Sequence, residues 1–162
     1  NGDYARTIIR QAFVDCFDLL FYTELSKSSD ATLAGIAAKS IKEITYHKRH
    51  SFSWVNRFGN GTSESLERLQ KGCNELWPYT NELFEMTEVD QMLIANGVAV
   101  DLSALKPKWE KEISALLQLA NVSVQTEVHM QTGSRKGIHT EYLGHILSEM
   151  QYLQRAYPTA QW

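Results

Sequence analysis

The stretch DYARTIIRQAFVDCFDLLFYTELSKS, residues 3–28, decides the fold class. Asp3 can cap a helix that runs to about Ser28. Along it Ile8, Ile9, Ala12, Phe13, Val14, Cys16, Phe17, Leu19, Leu20, Phe21 and Leu25 cover most of the circumference. A helix apolar on nearly every side must be buried on several of them, which places it at the centre of a bundle. Its one polar stripe is Thr7, Gln11, Asp15, Asp18 and Tyr22, spaced by threes and fours.

Outward from this helix, the same periodicity continues. Asp30 caps a second helix expected from about Ala31 to Phe58, ended by Gly59-Asn60-Gly61. Leu33, Ile36, Ala37, Ser40, Ile44, His47, Ser51, Trp54, Val55 and Phe58 share one of its faces. Two long helices joined by the short Ser29-Asp30 turn pack antiparallel, as in half of a four-helix bundle. A third helix starts at Thr62 or Ser63 and continues towards Phe84, with a break at Trp77-Pro78. Thr87 to Ala95 is a short helix. Asp101 opens another, re-started at Pro107 and reaching about Ala120. Residues 121–138 are irregular. A last helix is expected from about Thr140 to Tyr157, with Leu143, Ile146, Leu147, Met150, Leu153, Gln154 and Tyr157 as its core stripe. These later segments look too short and broken to supply the other half of the bundle. Helices from a preceding part of the chain, or from a second copy, would do so. The expectation is one all-α domain spanning residues 1–162.

Bulk properties narrow the function classes. The chain has 162 residues, 43% hydrophobic and 22% charged, which is ordinary for a globular protein. A formal charge of -3 argues against binding nucleic acid through its phosphates. No apolar run is long enough to span a membrane, and the polar start Asn1-Gly2-Asp3 is not a signal peptide. Cys16 and Cys73 form no CxxC pair and fit two reduced, buried thiols of a cytoplasmic protein. The missing initiator Met suggests that the numbering begins inside a longer natural chain.

Two clusters carry candidate chemistry. The first is Glu43-Ile44-Thr45-Tyr46-His47. Di-iron carboxylate proteins use Glu-x-x-His because that spacing puts both ligands on one inward helix face. Here Tyr46 holds the third place and His47 the fourth, while Asp15 and Asp18 on the neighbouring helix can face Glu43 and His47. Two readings stay open: a metal site through Asp15, Glu43 and His47, or a buried polar network in which Glu43 and Asp15 accept hydrogen bonds. The second is Gly133-Ser134-Arg135-Lys136-Gly137, where two cations on flexible backbone precede a helix. Ser134, Arg135 and Lys136 suit a coenzyme A phosphate or an acidic partner. His139, Glu141 and His145 read as helix-start polar groups. No nucleophile motif is present.

Several stretches together identify a family. They are Ile41-Lys42-Glu43 through Tyr46-His47, Phe58-Gly59-Asn60-Gly61-Thr62, and Leu76-Trp77-Pro78-Tyr79-Thr80-Asn81-Glu82-Leu83-Phe84. To these is added the closing run from Lys136-Gly137-Ile138-His139 to Ala156-Tyr157-Pro158. The whole chain resembles the PaaC family of the bacterial ring-1,2-phenylacetyl-CoA epoxidases, also called phenylacetate-CoA oxygenases. The resemblance implies a ferritin-like helical bundle whose chains are longer at the N-terminus, so that this sequence lacks the first bundle helices. It implies a non-catalytic subunit, without cofactor or catalytic residues of its own. Such a subunit pairs with a di-iron catalytic subunit and other components in cytoplasmic phenylacetate degradation. Tyr46 departs from Glu-x-x-His, so Asp15, Glu43, Tyr46 and His47 would form a degenerate site that holds no metal. An uncovered apolar helix would also allow a homodimer.

Overall fold

The computed structural model describes residues 2–124 and 127–161. Helices account for its regular structure, and among the described residues there is no strand. Helix α1 spans Tyr4–Leu25, α2 Ala31–Gly59 and α3 Ser63–Leu76. A 3-10 segment, Trp77–Phe84, leads to α4 (Glu88–Ala95) and α5 (Leu102–Leu119). A 3-10 turn at Ser134–Lys136 precedes α6 (Glu141–Met150) and α7 (Tyr152–Ala156).

Short polar side chains set the starts. The Asp3 carboxylate accepts from the Arg6 N–H at 2.9 Å, and Asp30 accepts from Thr32 and Leu33 at 2.8 and 3.0 Å. Thr62 caps α3, Asp101 caps α5, and Thr87 with Asp90 forms a capping box on α4. Each satisfies donors that the first helical turn leaves open.

Helix α1 is the hub, packed on α2, α3 and α5. Ile8, Ile9, Ala12, Phe13 and Cys16 meet Leu69 and Cys73 of α3, Val55 of α2, and Leu105, Trp109, Ile113 and Leu117 of α5 in one core. Trp109 is its anchor. Its ring packs against Phe13, Trp77 and Phe84, and its indole N–H donates to the Phe13 carbonyl at 2.8 Å. Cys16 and Cys73 are free, buried thiols, and burial pushes both up to about 12.

The helix ends are tied by close backbone approach. Gly59 sits against Ala120, where a Cβ would collide with the Ala120 backbone. The Asn60 amide donates to the Leu119 carbonyl at 2.9 Å, and Gln70 clamps Ser123 through both backbone groups at 2.7 and 2.9 Å.

Three expectations change. First, α3 and α5 do cover one whole side of α1, so the bundle closes there without further helices. Second, Pro107 lies inside a continuous α5 rather than restarting it. Pro107 and Ser103, the residue four before it, are both exposed, so the interruption lies on the outer side of α5. Third, the C-terminal helix breaks at Gln151 into α6 and α7, and its apolar stripe is not core. Ile146, Leu147, Met150, Leu153 and Tyr157 are all exposed, Met150 at 71%.

Candidate functional site

The α1–α2 pair is covered by α3 and α5 on one side only. On the other side a cavity of about 380 Å³ opens between the two helices. The polar stripe of α1 supplies Thr7, Gln11 and Asp15, and α2 supplies Tyr46, His47, His50 and Ser51. The helical periods place these side chains together because both stripes repeat at three and four residues.

Asp15 forms the floor and is only 5% exposed. Burial raises its carboxyl above the usual range, against the opposing pull of the Ser51 hydroxyl and of His47 and His50. Asp18, one turn further along α1, is raised by burial and by repulsion from Asp15, with His47 opposing. The two carboxyls thus share a partly desolvated wall whose cationic neighbours come from α2.

The other members of the sequence cluster do not converge on that wall. His47 Nε2 lies 3.7 Å from Glu43 Oε1, but the Glu43 side chain is 77% exposed and His47 is 48% exposed. Tyr46 is 56% exposed and stacks beside His50. Glu43 is therefore neither a floor ligand nor a buried structural anion. The seam that α2 buries runs through Ala37, Ile44, Ser51 and Val55, and Glu43 stands about 100° around the helix from Ile44. Among the described residues no three of His, Cys, Asp and Glu come together as a metal-binding group. A di-iron centre needs several inward carboxylates and paired histidines. One buried aspartate beside a rim of imidazoles does not fit it, and Asp15, Glu43 and His47 do not form a joint ligand set.

The glycine-flanked loop is tied down. Gly133 and Gly137, at φ 99° and 82°, turn the chain on either side of Ser134–Lys136 in a conformation that suits glycine. Arg135 Nη1 donates to both carboxylate oxygens of Asp90 at 3.1 and 3.2 Å, and the Gly133 N–H donates to Glu85 at 2.8 Å. Thr87, then Arg135, holds Asp90 below the usual carboxylate range. Arg135 thus serves as a staple to α4, while Ser134 is half-buried and Lys136 is exposed.

Sequence reasoning did not single out His50 or Tyr4. His50 stacks on Tyr46 and meets Trp54 edge-on, and Tyr4 packs edge-on against Trp54. The four-residue spacing of Tyr46, His50, Trp54 and Phe58 was the available signal.

The relationship to known proteins follows the same architecture. The family model described as phenylacetic acid catabolic protein matches residues 1–162. The chain belongs to that family. A curated relative, the PaaC subunit of the 1,2-phenylacetyl-CoA epoxidase of Escherichia coli (strain K12), is 46% identical over 162 residues, 100% of this chain. The chain spans 65% of that relative's length. The resemblance expected from the Ile41–His47, Leu76–Phe84 and closing runs is thereby borne out, and the all-helical fold agrees with a ferritin-like bundle. No described helix of this family member is long and apolar enough to cross a membrane.

Proposed function

We propose that this chain is a non-catalytic subunit of a multicomponent phenylacetyl-CoA epoxidase in cytoplasmic phenylacetate degradation, and that it supports a di-iron catalytic subunit. The observation that carries the proposal is the 46% identity to the PaaC subunit of such an epoxidase along the entire chain. One physical feature supports the subordinate role. The α1–α2 groove offers one buried carboxylate, Asp15, where a di-iron centre needs several.

In this assembly the loop at Ser134, Arg135 and Lys136 serves a partner rather than a coenzyme A phosphate. Arg135 is already neutralised by Asp90, and one remaining lysine is a weak phosphate cradle.

The test is reconstitution with the complete natural chain. Alone it should hold well under one iron per chain and turn over no phenylacetyl-CoA, while its addition should raise turnover by the catalytic subunit. Stoichiometric iron together with turnover by this chain alone would overthrow the proposal.

A further inference from the structure

Helix α2 is charged unlike the rest of the molecule. It carries five cations, Lys39, Lys42, Lys48, Arg49 and Arg57, against the single carboxylate Glu43. The remainder of the chain has eleven Lys and Arg against eighteen Asp and Glu. Lys48 turns inward, pairing with Glu112 and lying 5.1 Å from the Phe52 ring centroid. The other four point away from the bundle, are exposed, and form no ion pair among the described residues. They follow one stripe, Lys39, Lys42, Tyr46, Arg49, Ser53 and Arg57, spaced by threes and fours over about 27 Å of helix.

Aromatic rings back this stripe. The Arg49 guanidinium lies 5.5 Å from the Tyr46 ring and Arg57 lies 5.1 Å from the Trp54 ring. Tyr46, His50, Trp54 and Phe58 then touch ring to ring along α2, the first pair stacked, the second edge-on and the third tilted. Arg49 and Arg57 are thus held against flat rings rather than left as free flexible arms, which lowers the ordering cost of using them in an interface. Arg, Tyr and Trp backed by apolar surface are the residue types that anchor protein–protein contacts.

We infer that the outward face of α2 is a docking ridge for an acidic helical surface of the partner subunit, with Lys42, Arg49 and Arg57 as its charge anchors. Charge complementarity selects the occupant. Carboxylates repeating at helical spacing on the partner would meet the stripe at matching intervals. A long polyanion or an anionic membrane would bring the ridge close to the acidic remainder of the chain, which repels it. The ridge deepens the subunit proposal and rests on it.

The experiment titrates the di-iron catalytic subunit onto the immobilised complete natural chain at low and high salt. It compares wild type with Lys42→Glu/Arg49→Glu/Arg57→Glu, with the milder Lys42→Gln/Arg49→Gln, and with the control Lys111→Glu on α5. All four positions are exposed, and circular dichroism melts check that each variant folds. The charge-reversed variant should bind about 100-fold more weakly, with a shallower salt dependence. The neutral variant should fall between, and the control should match wild type. Binding by the reversed variant within about threefold of wild type would sink the ridge while leaving the subunit proposal standing. No binding by wild type would remove both. Wild-type binding to phosphatidylserine vesicles or RNA, lost with the same substitutions and as tight as binding to the catalytic subunit, would overturn the choice of a protein occupant.

Discussion

The two sides of the α1–α2 pair are built differently. On the side facing α3 and α5, apolar side chains from five elements interlock around Trp109, and polar groups there are few and bonded. On the other side, imidazoles, carboxyls and cations line an open groove and ridge, and few of them bond to one another. The first side explains how the chain folds. The second carries the ridge proposed to meet a partner. The same helix, α1, serves both: Phe13 and Cys16 look one way while Asp15 looks the other.

The sharpest way to break this contrast is to damage the packed side. Trp109→Ala removes a ring that is 2% exposed and its hydrogen bond to the Phe13 carbonyl. A loss of about 3–5 kcal/mol is expected in chemical denaturation. Gly59→Ala comes next. Its Cβ would meet the backbone of Ala120, which cannot swing aside as a side chain can. The cost should be about 1–3 kcal/mol in the same assay.

On the open side, the effects should shrink or change sign. Burial holds Asp15 and Asp18 above the usual carboxylate range, so the folded state takes up protons before the unfolded state does. Their contribution to stability therefore grows as pH falls from the raised folded values to the ordinary range, and is lost as pH rises. Asp15→Asn should raise the melting temperature at neutral pH and flatten that acid-side dependence. A melting temperature that drops at neutral pH would show instead that the Asp15 carboxylate is held by partners stronger than Ser51, His47 and His50. Smallest of all, Glu43→Ala should change stability by less than about 0.5 kcal/mol, as for an ordinary exposed position. A larger loss would place Glu43 in the packed side after all.

How much of this the sequence disclosed depends on what periodicity can carry. The α1 and α2 spans were legible to within a few residues because Asp3 and Asp30 are strong caps and the apolar repeats are long. Cys16 and Cys73 were legible as buried thiols because they form no CxxC pair and sit far apart in the sequence. The exposure of Glu43 was not, since one helix wheel allows several seams. Which seam closes depends on where Ile44, Ser51 and Val55 meet α1 and α5. The Leu143–Tyr157 stripe shows the same limit: spacing marks an apolar face, but not whether anything in the chain lies opposite it. Pro107 misled because a proline on the exposed side of a helix need not end it. The basic ridge was overlooked because its cations are diluted by an acidic chain and emerge only when α2 is counted alone.

The most direct measurement is size-exclusion chromatography with light scattering on the complete natural chain, alone and mixed with the di-iron catalytic subunit of the phenylacetyl-CoA epoxidase. A stable shared peak, with a mass equal to the two chains in whole-number ratio, is the predicted result. Separate, unshifted peaks at micromolar concentration would contradict the account.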